Sequence, residues 1–401
     1  MWNFNKVLNI SGWEIIKIVK EKNKTIFHLK QRRITADCPK CKKTTKIFHG
    51  YDRVRSIKNG TILGILCVLK FKPRRFRCQN CFSVFTEVSL AKYRQRVTQN
   101  HKSEVIFNLS DRSFSSGTKK YKVSYGTQKR WLNELIKDKL FDFAEEEKKD
   151  KPFVLGIDEV SFAGREMVTT IGNITDHHLK GILNSKRKDE LKKILKSFSP
   201  KTRSLISEVV IDMCPLYLTA VKQVLPQTAI VVDHFHVIQD ANRRIDSSRY
   251  ILQDIYKKRI PQYILTKNKE DLIGQQIHYL ADIIKEYPEL HMFYATKERL
   301  REMYRANSKE EATKQLRLII STLESTDDGE LISWGRTLSR WSEYILNYWI
   351  NKSTNCFMEG IHNKMKLIKR ISFGFRNKKV FIQKIMLSVL ILTVLLPQLT
   401  T

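Results

Sequence analysis

Three apolar, strand-like segments of the sequence each carry an aspartate, and this feature most restricts what the chain can fold into. Asp158 lies within FVLGIDEVSF, Asp212 closes EVVID, and Asp233 closes AIVVD. A carboxylate in an apolar strand is costly unless a cation or hydrogen-bond donors compensate its charge. We therefore expect these acids to lie in one sheet beside such a partner, rather than on a solvated surface.

The segments around the aspartates predict a mixed sheet with helices packed on it. Runs of β-branched residues indicate strands, and apolar residues at helical spacing indicate the helices between them. Turn-like residues separate the first three strands, whereas helices separate the later ones. The predicted order is strands 153–162, 166–174 and 179–184, helix 188–198, strand 205–211, helix 216–225 and strand 228–232, followed by a helical region over 237–349.

The spacing of neighbouring strands favours a metal site at Asp158 and Asp212. Adjacent strands lie about 4.8 Å apart, so the two carboxylates can bridge two ions separated by roughly 3.5–4 Å, as in two-metal phosphodiester chemistry. Mg²⁺ is the expected ion because it prefers oxygen ligands and usually takes only one or two carboxylates.

Glu359 is the candidate third ligand. A helix starting near residue 353 places it on one face with Asn363, Lys366 and Arg370. From residue 360 to 384 the sequence has eight Lys or Arg and no acid, so this carboxylate heads a basic stripe. The alternative is an ordinary surface acid. Glu343 and Glu159 are weaker candidates.

Four of the seven cysteines form two CxxC pairs, which predict a zinc ribbon. Cys38 and Cys41 precede Cys78 and Cys81 by 36 intervening residues, and the segment between the pairs alternates in hydropathy. Two such pairs can hold one tetrahedral Zn²⁺, and we expect this ion to be structural. Redox pairs share the CxxC spacing, but nothing in the pattern indicates a disulfide-stapled secreted domain.

The charge of the chain indicates a polyanionic partner. Its 401 residues carry a formal net charge of +32, which is hard to explain for an enzyme of small neutral metabolites and favours nucleic acid ahead of a membrane surface. Residues 31–100 alone contain 17 Lys or Arg against three acids. Arg74, Arg75 and Arg77 are candidate phosphate contacts there; a solvated basic face is the alternative.

Two segments after the cysteine pairs resemble the helices of a helix-turn-helix. They cover residues 97–109 and 125–135 and are separated by a polar Ser/Gly turn. Ser124 is the expected N-cap of a recognition helix. That helix would present three DNA-contacting side chains, Gln128, Lys129 and Arg130.

Several motifs together resemble the DDE transposases of bacterial insertion sequences, specifically the ISL3 group. They are GIDE at 156–159, IDMCPLY at 211–217, VDHFHVI at 232–238 and TNCFMEGIHNKMKLIKRISFGFRN at 354–377. The basic segment from CPKC to RRFRCQNC also resembles the zinc-binding N-terminal domain of that group. The similarity covers about residues 35–385.

The resemblance implies a ribonuclease-H-like catalytic core interrupted by a helical insertion. The family's acidic triad falls on Asp158, Asp212 and Glu359. Asp233 and His236 match an Asp-x-x-His motif and are treated as supporting residues, with a core histidine as an equal alternative for His236. The chain departs from the family pattern at His362, because the family often has Asn directly after Glu-Gly-x.

The fold class expected is therefore a multidomain α+β and α/β protein. Its zinc ribbon and helix-turn-helix precede a ribonuclease-H-like mixed-sheet core that contains an all-helical insertion. The expected boundaries are 1–90 for the zinc ribbon, 91–141 for the helix-turn-helix, 142–152 for a charged linker, 153–240 and 351–401 for the two parts of the core, and 241–350 for the insertion.

The expected activity is metal-dependent cleavage and transfer of DNA strands at the terminal inverted repeats of an insertion sequence. Two Mg²⁺ or Mn²⁺ ions and one Zn²⁺ are the cofactors expected. Partners are transposon ends, target DNA and at least a second copy of the chain, and a reducing bacterial cytosol is the expected location. Phosphates would be neutralised by Lys366, Lys369, Arg370 and Arg376.

Three alternatives remain open at this point. The first is a non-catalytic zinc-ribbon and helix-turn-helix regulator, and the second is a decayed, inactive transposase copy. The third is a structure-specific nuclease, which would share the acidic site and lack strand transfer. The apolar run 385–396 is about twelve residues long, shorter than the roughly 20 that a membrane-spanning helix needs.

Overall fold

The computed structural model describes residues 8, 10–87, 90–91, 95–110 and 112–390. The chain divides into two compact units. One comprises Met1–Asp138 with Leu367–Thr401, and the other comprises Lys139–Lys366. The apolar run expected over 385–396 ends outside the described residues. Among the helices that are described, none combines the length and hydropathy needed to cross a bilayer.

Short sheets form the N-terminal part of the first unit. The largest has the strand order β1-β2-β7-β6, in which β2 and β7 run parallel and the other neighbours antiparallel. Two smaller sheets, β3-β4 and β5-β8-β9, carry the cysteine pairs at their ends. The strands are β1 (Trp13–Glu21), β2 (Lys24–Gln31), β3 (Ala36–Asp37), β4 (Thr44–Thr45), β5 (Phe48–Tyr51), β6 (Arg55–Ile62), β7 (Ile65–Phe71), β8 (Arg74–Arg77) and β9 (Val84–Thr86).

The segment between the cysteine pairs supplies β6 and β7, which complete the four-stranded sheet begun by β1 and β2. Alternate residues of β2 and β7, such as Phe27 and Leu69, are buried against Trp13. Leu63 and Gly64 join β6 to β7 with φ values of 50° and 80°. A two-residue hairpin turn of this kind needs positive φ at both positions. The alternating segment between the cysteine pairs therefore forms the β6–β7 hairpin of the four-stranded sheet, whereas the cysteine knuckles belong to the two smaller sheets.

Three helices follow, and they correct the expected helix-turn-helix. They are α1 (Gln99–Asn108), α2 (Phe114–Tyr121) and α3 (Tyr125–Ile136). The polar Ser/Gly segment read as a turn forms α2. Its N-cap Ser113 accepts a hydrogen bond from the Ser116 N–H, and Phe114, Gly117 and Tyr121 line its buried face. The closely connected helix pair is therefore α2 and α3. The expected N-cap of α3, Ser124, is confirmed, because it accepts from the Thr127 N–H.

The second unit is built on a five-stranded sheet that matches the predicted order of strands. Its neighbours run β12-β11-β10-β13-β14. Strands β10, β11 and β12 pair antiparallel, and β13 and β14 run parallel to β10. The bounds are β10 (Phe153–Ala163), β11 (Glu166–Asn173), β12 (His178–Leu183), β13 (Ile206–Ile211) and β14 (Ala229–Val232).

Helices cover this sheet and continue into a helical region after β14. Tyr217 and Leu195 lie in a core that also contains Trp334 and Phe293 of the later helices. The predicted linker 142–152 contains a short helix whose Glu146 is buried against Lys180 and Asn173. The helices are α4 (Ala144–Lys149), α5 (Lys188–Ser197), α6 (Pro200–Leu205), α7 (Pro215–Val224), α8 (His234–Tyr256), α9 (Gln262–Thr266), α10 (Gln275–Glu286), α11 (Glu289–Met303), α12 (Lys309–Glu324), α13 (Gly329–Leu346) and α14 (Tyr348–Asn351).

Helix α15 (Cys356–Ile371) returns the chain to the sheet, and α16 (Lys378–Leu390) follows it. The start of α15 approaches the sheet so closely that only glycine fits beneath it. A Cβ on Gly156 would lie 2.7 Å from Asn355 Oδ1, and a Cβ on Gly172 would lie 2.8 Å from Met358 Sδ. These glycines therefore set how near the α15 side chains come to β10.

Candidate active site

Two of the predicted acids meet where the parallel pairing of β10 and β13 stops. Asp158 is in the middle of β10 and is only 4% exposed. Asp212 directly follows β13, and its side chain is 13% exposed. The last paired residues are Gly156 and Val210, so each acid lies two residues beyond the same rung and the register brings both carboxylates to one place.

His236 joins the two acids. Its Nε2 atom lies 2.7 Å from Asp212 Oδ1 and 3.8 Å from Asp158 Oδ1. One ligand atom from each of the three residues lies within 4.8 Å of the others. Asp212 Oδ1 has no partner other than this imidazole among the described residues. Two buried carboxylates beside one imidazole are a donor set that fits a divalent cation well.

The proton affinities of this cluster reflect its burial and its negative charge. Burial, followed by the charge of Asp212, raises the pKa of Asp158 to about 8. Burial alone would lower the pKa of His236, but the adjacent carboxylates outweigh it and raise that pKa to about 9. Without a cation, the cluster therefore retains protons near neutral pH that a bound cation would displace.

Asp233 lies next to this cluster and orients the helix that carries His236. Its side chain is buried and accepts a hydrogen bond from the Phe235 N–H, which caps the start of α8. Its main-chain oxygen accepts from the His236 N–H at 3.0 Å. Asp233 Oδ1 is also 3.3 Å from His234 Nδ1. Its contacts are thus those of a residue that positions His236.

Glu359 is exposed in the first turn of α15 and is not part of the Asp158, Asp212 and His236 cluster. The helix nevertheless begins directly on the sheet, since Asn355 Nδ2 donates to the Ile157 carbonyl at 3.4 Å. The structure therefore places Glu359 on a helix anchored beside Asp158, with its carboxylate directed to solvent.

His362 approaches Asp158 more closely than the sequence suggested. It is 6% exposed, and its Nδ1 atom lies 3.5 Å from Asp158 Oδ2. Its Nε2 atom lies 2.8 Å from Thr170 Oγ1. The sequence offers one signal for this position, a histidine one helical turn after Glu359 where the family often has Asn.

The four cysteines of the CxxC pairs form a second cluster, in the first unit. Cys38 Sγ lies 3.6 Å from Cys81 Sγ, and Cys41 Sγ lies 3.5 Å from Cys78 Sγ. Four sulfurs around one Zn²⁺ are about 3.8 Å apart when each Zn–S bond is about 2.3 Å. The arrangement is therefore compatible with zinc.

The two cysteine knuckles repeat one local fold. In each knuckle the first cysteine donates its N–H to the carbonyl five residues later, from Cys38 to Lys43 and from Cys78 to Ser83. The carbonyl of that cysteine accepts from the N–H four residues later, from Lys42 and from Phe82. Lys42 and Phe82, each following the second cysteine of its pair, both have positive φ. A hydrogen bond from Ser83 lowers the pKa of Cys38 to about 6, whereas burial and the neighbouring cysteine sulfurs raise the pKa of Cys41 to about 11. A bound metal ion would hold both as thiolates.

The arginines before the second knuckle differ in exposure. Arg74 forms a 2.6 Å ion pair with the buried Glu87, and its side chain is 17% exposed. Arg75 and Arg77 are exposed, and the Arg77 guanidinium packs over the Phe82 ring. Arg75 and Arg77 are therefore the available cations at this edge, whereas Arg74 is engaged within the fold.

The residues expected on the recognition helix also separate into buried and exposed side chains. Gln128 is fully buried, and its Nε2 atom lies within hydrogen-bond distance of Phe114 O, Thr118 Oγ1 and Val123 O. It does not face solvent as a DNA contact requires. Lys129 is half-buried and Arg130 is exposed.

The basic residues of the last predicted group lie on and after α15. Lys366 and Arg370 are exposed on that helix, Lys369 is half-buried, and Arg376 is exposed beyond its end. Asn363, Lys366 and Arg370, at i, i+3 and i+7, give the helix a polar outer face, while its inner face buries Met358, Ile361 and Met365.

Two comparisons identify relatives of this chain. Residues 155–385, more than half of the chain, match the ISL3-group DDE family, which is described as "Transposase". The chain is also 22% identical over 395 residues to the transposase for insertion sequence element IS1001 of Bordetella parapertussis. That alignment covers 94% of this chain and 96% of the relative. The acids, the histidines and the helix that carries Glu359 all fall within the matched segment, and the chain belongs to the ISL3-group transposase family.

Proposed function

We propose that this protein is an active transposase that cleaves the ends of an insertion sequence and joins them to target DNA. The observation that carries the proposal is the meeting of Asp158, Asp212 and His236 at one sheet edge in a member of this family. Two buried carboxylates held together beside one imidazole are what a cation site requires and what an inert scaffold would avoid.

We propose that the second unit is a ribonuclease-H-like core. Three antiparallel strands followed by two strands parallel to β10 support this assignment. The helices between β14 and α15 then form the insertion, and α15 brings Glu359 back to the sheet. The predicted domain boundaries remain part of this proposal.

The acids of this core would hold two divalent cations. Asp158 and Asp212 would be ligands, and Glu359 would join them by a side-chain rotation, because its helix is already anchored beside Asp158. Bound there, Mg²⁺ or Mn²⁺ would activate the attacking oxygen and stabilise the leaving oxygen during phosphodiester cleavage. His236, 2.7 Å from Asp212 Oδ1, would join the ligands of one of these cations, and Asp233 would hold the start of α8 in place.

The DNA contacts would come from exposed or half-buried cations in both units. In the first unit these are Arg75, Arg77, Lys129 and Arg130. On and after α15 they are Lys366, Lys369, Arg370 and Arg376. A single structural Zn²⁺ held by the four cysteines would fix the surface that carries Arg75 and Arg77. Cleavage at two ends implies at least a homodimer in the active complex.

The test uses a supercoiled plasmid that carries the DNA segments flanking the gene, incubated with the protein and Mg²⁺ or Mn²⁺. Nicking at the element ends followed by joined products is expected. Asp158→Asn, Asp212→Asn and Glu359→Gln should each abolish both products. Asp189→Asn, an exposed acid on α5, is the matched control and should retain them.

The same assay separates the alternatives. DNA binding without nicking by the folded, metal-supplied protein would contradict the proposal and favour a regulator or a decayed copy. Nicking without joined products would favour a structure-specific nuclease. Full activity of Asp158→Asn would remove the acid cluster from the mechanism.

A further inference from the structure

The His362 ring is held between β11 and the Asp158 side chain. Its Nε2 atom is 2.8 Å from Thr170 Oγ1, and Thr170 pairs with Asp158 across the β10–β11 ladder. Thr170 Oγ1 in turn donates to the Asp158 main-chain oxygen at 3.1 Å. The Thr170 hydroxyl therefore holds the His362 ring through Nε2, and Nδ1 on the other side of the ring faces the Asp158 carboxylate.

These hydrogen bonds determine which ring nitrogen carries the proton. A carbonyl oxygen can only accept, so the single hydrogen of Thr170 Oγ1 goes to Asp158 O. The hydroxyl must then accept from His362 Nε2–H. In this tautomer Nδ1 is unprotonated and presents a lone pair. It faces Asp158 Oδ2 at 3.5 Å, too far for a charge-assisted hydrogen bond.

Two electron-pair donors that face each other across 3.5 Å need a proton or a cation between them, and a cation that binds there would displace the proton that Asp158 retains. Cis ligands of one Mn²⁺ or Mg²⁺ are about 3 Å apart when each metal bond is about 2.1 Å, and trans ligands are about 4 Å apart. A histidine that binds a metal almost always donates its other N–H to an oxygen. His362 already makes this second bond through Thr170.

The two oxygens of Asp158 also face different partners. Oδ1 is the atom near His236 and, through it, near Asp212. Oδ2 is the atom near His362. Asp158 thus lies between two donor sets, each containing one imidazole nitrogen.

We infer that His362 Nδ1 is a ligand of a divalent cation bound at Asp158 Oδ2, separate from the cation site formed by Asp158 Oδ1, Asp212 and His236. The inference deepens the proposed function and rests on it for the presence of two cations. Glu359 lies one helical turn before His362, and its exposed carboxylate would be a further ligand of the cation bound by His362.

This assignment has a consequence for metal choice. Mg²⁺ is bound through oxygen, whereas imidazole suits transition metals. With an imidazole at each position, the centre should bind Mn²⁺ more tightly than Mg²⁺. Replacing His362 by Asn, the residue often found at this position in the family, should remove that preference at one of the two positions.

The test is Mn²⁺ titration of the zinc-loaded full chain, followed by electron paramagnetic resonance with detection of coordinated ¹⁴N. The wild-type protein should bind two Mn²⁺ per chain, and the second equivalent should add a second histidine coupling. His362→Asn should weaken one site by about 10-fold or more and remove one coupling. Thr170→Val should weaken the same site, and His291→Asn, on an exposed part of α11, should change neither property.

The two proposals can fail separately in this design, because no DNA is present. Unchanged Mn²⁺ affinities and couplings in His362→Asn would overturn the inference even if the protein nicks DNA. Two bound Mn²⁺ with a His362 coupling, but no DNA cleavage, would support the inference and contradict the proposed function. If His362→Asn does not fold, the appearance or absence of the second coupling in the wild-type titration decides the matter.

Discussion

Substituting Gly156 by alanine should release α15 from the sheet, and we expect a clear loss of stability. Alanine would ordinarily be favoured over glycine in a strand by about 0.5–1 kcal/mol. Here, however, the new Cβ would lie 2.7 Å from Asn355 Oδ1, 2.8 Å from Ile174 Cγ2 and 3.2 Å from Met358 Cγ. Asn355 and Met358 are buried, so neither side chain can move into solvent.

The magnitude follows from the cost of inserting a methyl group into a packed core, about 1–3 kcal/mol. For a unit of roughly 200 residues, 1 kcal/mol corresponds to about 2–4 °C in the midpoint of thermal unfolding. A loss of about 2 kcal/mol should therefore lower that midpoint by about 4–8 °C. Because α15 carries His362, the affinity for Mn²⁺ should fall as well.

A matched control lies on the same helix. A Cβ on Gly360 would have no neighbour within 4 Å. Gly360→Ala should therefore raise the free energy of unfolding by about 1 kcal/mol through the higher helix propensity of alanine, and the midpoint should rise with it. Differential scanning calorimetry of both variants tests the reasoning. A midpoint for Gly156→Ala equal to or above that of the wild type would refute the close approach of α15 to β10.

Four further outcomes are expected. Cys78→Ser should lose the bound zinc measured by elemental analysis, whereas the exposed Cys356→Ser should keep it. In metal-free protein, the raised pKa values of Asp158 and His236 stabilise the fold at low pH, so the unfolding midpoint should fall as pH rises from about 4 to 9; this decline should shrink in Asp158→Asn, which leaves His236 beside Asp212, and should shrink when Mn²⁺ is added. Arg75→Ala or Arg77→Ala should reduce the slope of log DNA affinity against log salt by about 1 each, and a slope unchanged in both would exclude this edge from the interface. Gln128→Ala should lower the free energy of unfolding by about 1–3 kcal/mol, measured in urea, because it removes the hydrogen bonds that the buried amide donates to the Phe114 and Val123 carbonyls; normal stability with altered sequence preference would instead support a DNA contact.

The strands and helices of the second unit were largely predictable because their patterns are strong. β-branched runs gave β10, β13 and β14 within a residue or two, and parallel pairing then required Asp158 and Asp212 to meet. The cysteine cluster was predictable for a similar reason, since CxxC spacing dictates a local knuckle. These are cases in which local sequence and tertiary structure favour the same arrangement.

The features that sequence patterns missed depend on contacts between distant residues. The α2 segment is poor in strong helix formers, but it is stabilised by its Ser113 cap and by the packing of Gly117 beneath Gln128. The same packing buries Gln128, which no periodicity along α3 would indicate. The position of His362 depends on Gly156 and Gly172, two small residues in separate strands, admitting α15 to the sheet.

The last described helix, α16, determines when the first unit can finish folding during synthesis of the chain. Gln383 and Ser388 of α16 bond to Asn133 and to Ser110, beside the helices of the first unit. The ribosome makes those helices some 250 residues earlier. A nascent chain therefore has its cysteine knuckles long before it can complete the unit that carries them. A nascent chain that lacks α16 should therefore bind DNA more weakly than the complete protein.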